Sequence, residues 1–428
     1  MTLMLIALLV LLLILGAPLF VVILAATLIG FGSAEIDLSV IAIELYRITE
    51  TPLLIALPLF TFAGYILSES NASERLLRLT RIFIGWMPSG LAIVSIIACA
   101  IFTAFTGASG VTIVALGALL LPALLKEGYD EKFSLGLVTT TGSLGLLLPP
   151  SIPLILYGII VQQMNIGQPF ALTELFLAGL FPCLLMISIL SAWVIWTTRH
   201  RVRNIEKIAF TKKEAYQAIR DAAWEIPLPV FILLGIFGGF LAVSEIAAVT
   251  ALYVLIVECL IYKEIKLSLL IKIMSESMQM VGGILLILAI SMAFTNYLVD
   301  AEVPMHLFEW VKENVSSRIT FLILLNIFLL ILGAILDVFS ALVIVVPLIV
   351  PVAIGYGIHP IHLGIIFLAN MQIGYFTPPV GMNLFIASYR FNKPITELYQ
   401  ATLPFMLVLL FCVVVITYVP WLSIWFIE

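Results

Sequence analysis

Residues 142–151 read GSLGLLLPPS and residues 371–380 read MQIGYFTPPV, two stretches offset by 229 positions that share the pattern Gly-x-x-x-Pro-Pro (Gly145, Pro149, Pro150; Gly374, Pro378, Pro379). Each lies in an apolar segment long enough to cross a bilayer, which takes about 20 residues. Proline has no amide donor and blocks the carbonyl one turn back, so two in succession leave several carbonyls without helical partners. Non-helical backbone persists at membrane depth only where it is buried in protein or lines a cavity. Broken helices at matching places in two halves point to a binding site of the kind transporters carry.

The rest of the chain fits a membrane setting. Of its 428 residues 63% are hydrophobic and 11% charged, and the mean hydropathy is +1.23. Such a chain is an all-α polytopic membrane protein in a lipid bilayer, and a soluble core is excluded. No basic stripe tracks a nucleic-acid backbone, so nucleic acid is not expected as a partner. Cys99, Cys183, Cys259 and Cys412 are isolated and read as small packing residues. The first apolar run, Leu3 to Phe31, is too long for a cleaved signal peptide and reads as the first span.

Further apolar blocks run over 51–68, 90–125, 133–162, 173–198, 227–262, 269–298, 319–354, 360–389 and 395–427. Blocks 90–125 and 319–354 are broken near the middle, by Gly107, Ala108, Ser109 and Gly110 and by Gly333 and Asp337. Each half is about 15 residues, too short to span, so two re-entrant helical hairpins are expected. Block 227–262 reads as two helices turning near Ser244 and Glu245.

The offset of 229 recurs: Pro122 and Pro351, Gly128 and Gly357, and the Gly-Pro-Pro triplets all obey it, and Asp337 falls on Ala108. Thr173-Glu174-Leu175-Phe176 ahead of Pro182 mirrors Thr396-Glu397-Leu398-Tyr399 ahead of Pro404. Hairpin, broken helix and closing helix thus occur twice. Basic loops at Arg75 to Arg81, Lys126 and Lys132, Arg199 to Lys213, Lys263 to Lys272, and Arg390 with Lys393 are all cytoplasmic if the N-terminus is. The hairpins then enter from opposite faces, which makes the repeat inverted: nine crossings, two of them broken, plus two hairpins. Residues 71–86 pair an apolar face with three arginines and should lie flat at the interface, and 214–226 and 304–315 could do likewise. The expected layout is framework helices in 1–90, first hairpin and broken helix in 91–162, framework and basic loop in 163–318, second hairpin and broken helix in 319–390, and a last framework helix in 391–428.

The tip Thr106-Gly107-Ala108-Ser109-Gly110-Val111-Thr112 offers hydroxyls and free helix-end carbonyls, the oxygen ligands a dehydrated monovalent cation needs. Facing it should be Thr139 to Thr141, Gly142, Ser143 and Ser151. The second half offers Gly333, Asp337 and Ser340 against Asn370, Gly374, Thr377 and Asn383. The expected sodium ligands are Thr106, Gly107, Ser109, Thr141, Gly142, Gly333, Asp337, Gly374 and Thr377; those for a solute are Ser95, Thr140, Ser151, Asn370 and Asn383. Small residues at the tips equally suit tight helix packing, and Asp337 equally suits a helix cap. An ionised acid at the bilayer centre costs roughly 2.5–3.5 kcal/mol, so Asp337 needs a cation or donor beside it. Glu245 and Glu258 read as loop or snorkelling positions near helix ends. His359-Pro360-Ile361-His362 lacks neighbouring acids or cysteines, so sodium is the only metal expected and no transition metal. No Gly-x-Ser-x-Gly elbow or clustered acid, histidine and cysteine set supports an intramembrane enzyme.

At these residues the chain resembles the large membrane subunit of the tripartite ATP-independent periplasmic (TRAP) transporters. The resemblance is carried by Leu57-Pro58-Leu59-Phe60 with Ala63-Gly64, the tip TGASGVT, LGLLLPPSIPLILYG, SEIAA at 244–248, GAILD, GIHPIHLGII and IGYFTPPVGMNLF. It departs at the tip, Gly107-Ala108-Ser109 for a usual Gly-Ser-Ser, and at Ala242 to Ala247. The resemblance implies sodium-coupled uptake of an organic anion, such as a C4-dicarboxylate or a sialic-acid-type sugar acid, at a bacterial inner membrane. It also implies a periplasmic substrate-binding protein and a small four-helix membrane subunit as partners, an elevator-type ion transporter fold, and no organic cofactor. A single-component sodium/carboxylate symporter of the same architecture would look almost the same in sequence, and a channel would differ in lacking coupling.

Overall fold

The computed structural model describes residues 17–427 except 86, 88, 165, 200–211 and 316, with residues 9, 11 and 12 besides. Much of the first apolar run, and Arg201, Arg203 and Lys207 of the basic loop, therefore lie outside the described residues. The described residues form helices joined by turns and loops, with no strand, and nine helices are long and apolar enough to cross a membrane.

From residue 17 on, the described helices begin with α1 (Leu19–Ser33), α2 (Ser39–Thr49), α3 (Ala56–Glu69) and the amphipathic α4 (Ala72–Ile84). A hairpin follows, α5 (Gly90–Thr106) and α6 (Ser109–Lys126), then the interrupted pair α7 (Glu131–Thr141) and α8 (Ile152–Met164), then α9 (Leu172–Thr198). The middle of the chain holds α10 (Lys212–Asp221), α11 (Pro227–Gly238), α12 (Val243–Ile256), the 34-residue α13 (Leu267–Asp300) and α14 (Val303–Asn314). The second half then repeats hairpin α15 (Arg318–Ile335) and α16 (Val338–Gly355), interrupted pair α17 (Pro360–Gly374) and α18 (Met382–Phe391), and α19 (Ile395–Tyr418), ending in the single turn α20 (Trp421–Ile424). Shifting α5 to α8 by 229 positions lands within a residue of the starts of α15 to α18, as the punctuation in the sequence requires. Block 227–262 does divide into two helices, but not at Ser244 and Glu245: α11 ends at Gly238, Gly239 with its φ of +67° turns the chain, and Ser244 and Glu245 lie in the first turn of α12, which begins at Val243.

One expectation needs correcting. The hairpin legs are not about 15 residues but 17 in α5 and 18 in α6, α15 and α16. Each turn takes only two residues, so the legs gain the rest. At 1.5 Å per residue, 18 residues reach about 27 Å, close to the hydrocarbon thickness. Leg length therefore gives no reason for the tips to stop short of a full crossing; what fixes the tips in the structure is packing. A Cβ on Gly107 would lie 2.5 Å from the Ile152 side chain, and one on Gly333 would lie 3.1 Å from Gly374 Cα. Each tip is pressed against the break in its own repeat.

The two repeats also interlock reciprocally. Helix α6 packs on α18, and its counterpart α16 packs on α8; α7 packs on α19, and α17 on α9. The Ser143 hydroxyl donates to the Gln372 carbonyl at 2.9 Å, and those two residues are equivalents 229 positions apart. A residue can touch its own equivalent only near the axis that relates the copies, so the breaks meet at the centre. The same steric rule holds in both halves: a Cβ on Gly145 would lie 2.6 Å from Ala104 N, and one on Gly374 2.5 Å from Gly333 Cα, which is the position equivalent to Ala104. Only glycine lets hairpin and break backbones approach this closely.

Helices α1, α3, α12 and α13 pack together, α3 on α12 and α13 and α1 on α13, and they meet the hairpins where α3 packs on α5 and α13 on α16. Helices α9 and α19 pack on each other and on the broken helices. Glu258 is not a snorkelling residue. It is fully buried, and with Glu225 and Glu264 it surrounds the Arg75 guanidinium, which is itself 11% exposed. Each nitrogen of Arg75 takes a different carboxylate, Nη2 meeting Glu258 at 3.1 Å, and the guanidinium lies 4.0 Å over the Tyr262 ring. The amphipathic α4 is thereby locked to the segment just before α11, which carries Glu225, and to the turn and loop after α12, which carry Glu258 and Glu264, rather than resting only on its apolar face. Glu245 accepts from the Ala242 amide and so caps α12.

Candidate functional site

The backbone at the first break folds back on itself. After α7 come a short 3-10 turn (Leu144–Leu147) and the buried Pro149-Pro150 pair before α8 begins. Across from it, Thr103 one turn before the hairpin tip donates its hydroxyl to the Gly142 carbonyl at 2.8 Å and lies 2.7 Å from the Thr112 hydroxyl on the other leg. Tip and break are stitched by hydroxyl-to-carbonyl contacts among buried groups.

At the second break, Gly374 ends α17, Tyr375 to Gly381 form the connection, and Pro378 to Val380 are exposed where the first pair is buried. The Gly381 amide donates to the Ala334 carbonyl at 2.9 Å and the Val338 amide to the Tyr375 hydroxyl at 2.8 Å, tying this break to the second tip. Asp337 caps α16: one carboxylate oxygen accepts from the Phe339 and Ser340 amides at 3.0 Å and the other from the Ser340 hydroxyl at 2.5 Å. These donors meet the carboxylate in the half-buried tip, and the helix N-terminus adds its own positive dipole end.

Asn383 joins the two halves. Its Oδ1 accepts from the Ser109 hydroxyl of the first tip at 2.7 Å and its Nδ2 donates to the Thr139 carbonyl at 3.5 Å. Both tips then open onto one cavity of about 910 Å³. Gly107 to Val111, Val114 and Ala115 of the first hairpin with Asp337 and Phe339 of the second supply one part of its lining, Tyr375 of the second break with Met382, Phe385, Ile386 and Tyr389 of α18 another, and Tyr65, Ser68, Glu69, Glu276 and Met280 of α3 and α13 the rest. The cavity therefore lies between the hairpin body and the framework.

Of the residues singled out from the sequence, Gly107, Ser109 and Asp337 line this cavity. Thr106, Thr141, Gly142, Gly333, Gly374 and Thr377 sit at the tip and break contacts behind it. There the Thr141 and Thr377 hydroxyls donate to the Leu137 and Ile373 carbonyls at 2.8 Å, and the Thr106 hydroxyl reaches only the Ala108 carbonyl at 3.5 Å. Ser95, Thr140 and Ser151 are fully buried away from the cavity, donating to the Leu91, Gly136 and Leu146 carbonyls. Asn370 also lies away from it, its amide donating to Asn326 Oδ1 at 2.6 Å while its own Oδ1 is buried without a hydrogen-bond partner. Thr139 Oγ1 and Gln372 Oε1 are likewise buried, with no hydrogen-bond partner among the described residues. His359 caps α17 by accepting from the Ile361 amide.

Sequence reading passed over Thr103, Tyr65, Glu69 and Glu276. Thr103 had a usable signal, a hydroxyl one helical turn before the tip. Glu276 had another, an acid inside apolar block 269–298. Glu69 sits just past block 51–68, where an acid reads as the start of a loop.

Residues 2–422 match the family described as "Tripartite ATP-independent periplasmic transporter, DctM component". A C4-dicarboxylate TRAP transporter large permease protein from Rhodobacter capsulatus is 33% identical over 405 residues, covering 92% of this chain and 91% of that one. An isethionate TRAP transporter permease protein DctMQ from Oleidesulfovibrio alaskensis is 32% identical over 401 residues, 94% of this chain but 62% of the longer relative. Among solved structures, the YdaH transporter of Alcanivorax borkumensis superposes with a TM-score of 0.62 at 15% identity, over 88% of this chain and 86% of that one, a likeness of fold alone. These relatives are permease subunits rather than enzymes. With nearly its whole length matched and with both hairpin tips and the second break converging on one cavity, the chain belongs to the DctM component family of the tripartite ATP-independent periplasmic transporters.

Proposed function

We propose that this chain is the solute-translocating subunit of a three-component importer in a bacterial inner membrane, N-terminus in the cytoplasm, that moves a carboxylate-bearing solute inward with sodium ions. The observation that carries this reading is the convergence of both hairpin tips and the second break on one cavity shared with α3 and α13. Sodium ions are the cargo that the oxygen-rich seams between tip and break suit. Thr103, Thr106, Thr112 and the Gly142 carbonyl line the first seam, and the buried Thr139 Oγ1, which has no hydrogen-bond partner, lies on the helix leading into that break. Ions held there order the tips and place positive charge beside a carboxylate. Each net charge carried inward gains about 2.3 kcal/mol per 100 mV, so an excess of sodium over solute charge drives accumulation without ATP.

The movement we infer is an elevator. Hairpins, broken helices, α9 and α19 pack as one body and would slide together against α1, α3, α12 and α13, with the cavity at the sliding boundary. A periplasmic binding protein delivers the solute, and a small membrane subunit packs on the framework. The DctMQ name of the Oleidesulfovibrio relative, with more than a third of its length beyond the match, agrees with a fused partner.

The test is uptake into proteoliposomes holding this chain with its small subunit, with loaded binding protein outside and either sodium or potassium in the buffer. Uptake is expected in sodium alone and only with the binding protein present. Ser109→Ala and Asp337→Ala are expected to abolish it while the protein still inserts. Uptake without sodium would overturn the coupling, and uptake of free solute without the binding protein would favour a single-component symporter.

A further inference from the structure

The charged side chains that line the cavity among the described residues are Glu69, Glu276 and Asp337; no lysine, arginine or histidine lines it. Asp337 is engaged by its helix-cap donors. Glu69, exposed in the last turn of α3, forms no ion pair among the described residues. Glu276 on α13 meets Lys272 one turn away at 3.6 Å, but both side chains are more than two-fifths exposed and Lys272 is not part of the lining. Such an exposed pair contributes little.

The same cavity is lined by aromatic side chains: Tyr65, one turn before Glu69 on α3, Phe339 at the second tip, and Phe385 and Tyr389 on α18. Phe385 is 51% exposed and Tyr389 93%, so they present open ring faces. A cleft lined by one sign of charge concentrates the opposite sign and repels its own, and aromatic faces attract ammonium and quaternary nitrogen. A dianion entering this cavity would meet carboxylates with no basic side chain in the lining to answer either of its charges.

We infer that the solute carried by this chain bears a positively charged nitrogen as well as its carboxylate. The carboxylate faces the hairpin tips and their sodium, while the nitrogen is held by Glu69, Glu276 and the neighbouring aromatic rings. This inference rests on the reading of the cavity as the solute site and narrows the solute from organic anions at large to zwitterions.

The experiment measures thermal unfolding of the purified full chain in lipid nanodiscs, titrating glycine betaine or succinate in sodium buffer and, separately, sodium alone. Glycine betaine is expected to raise the melting temperature and succinate to leave it unchanged. Glu69→Gln and Glu276→Gln are each expected to weaken the glycine betaine response about tenfold, with the ligand-free melting temperature preserved. Protection by succinate, or a glycine betaine response intact in both variants, overturns the inference. So does protection by neither probe. A weakened response to sodium alone in the two variants would also overturn it, by showing that the acids hold the coupling ions. The proteoliposome assay, which uses whatever solute the binding protein delivers, decides the transport reading separately.

Discussion

Replacing Arg75 with alanine is the perturbation whose cost the structure sets most directly. One guanidinium serves three carboxylates, of which Glu258 is fully buried, Glu225 is 3% exposed and Glu264 21%. Removing one partner of a buried ion pair costs about 3–5 kcal/mol, because the remaining charge stays buried without compensation. Here the truncation strands two almost fully buried acids at once, and it also removes the contact over the Tyr262 ring, worth about 0.5–2 kcal/mol. The upper part of the range is therefore expected. Arg75→Lys should recover only a fraction, since a compact ammonium cannot offer three nitrogens to three separate carboxylates. Adding Glu258→Gln to Arg75→Ala should restore part of the loss by removing the most deeply buried charge. The assay is thermal unfolding of the purified variants in nanodiscs, with uptake per folded molecule measured below the transition. Arg75 does not line the central cavity, so that uptake should match the wild type. An Arg75→Ala protein that melts with the wild type would show that the acids find other compensation and that the argument from burial is mistaken.

Gly145→Ala and Gly374→Ala should each destabilise by about 1–3 kcal/mol or more, since the new Cβ would lie 2.1 Å from the Ala100 carbonyl oxygen or 2.5 Å from Gly333 Cα, backbone atoms that cannot swing aside; chemical unfolding of both variants at wild-type midpoints would refute this. Asn383→Leu removes both the acceptor for Ser109 and the donor to Thr139, and should lower sodium-dependent uptake far more than it lowers insertion, as read by sodium titration of uptake against yield of folded protein. Burial alone would raise the Glu264 carboxyl, but the Asn71 amide and the Arg75 guanidinium outweigh it and hold the group below its ordinary 4.5. Its contribution to stability is then complete above pH 4.5 and lost as pH falls through that value toward the lowered one. Melting temperatures across that acid range should fall less steeply in Glu264→Gln than in the wild type, and parallel curves would contradict the assignment.

What was legible in the chain beforehand was whatever the backbone imposes locally. Glycine and proline control dihedral angles and hydrogen bonding at their own positions, so the doubled Gly-x-x-x-Pro-Pro pattern and the 229-residue offset were enough to place two breaks, two hairpin turns and the repeat that orders them. Apolar block lengths marked the membrane helices for the same reason, since the bilayer acts on each segment separately. What waited for tertiary structure was every contact between segments distant along the chain. Nothing in Arg75 announces that its partners are Glu225, Glu258 and Glu264, or that Asn383 reaches back to Ser109. Nor do the hydroxyls of Ser95, Thr140 and Ser151 reveal that they turn onto carbonyls of their own segments instead of toward a cavity. Small polar residues in membrane helices satisfy themselves locally unless a neighbouring segment offers better partners, and only the packed arrangement decides which. The acids Glu69 and Glu276 belong to the same class: their place in the cavity follows from how α3 and α13 pack against the hairpin body, a relation that no local pattern encodes.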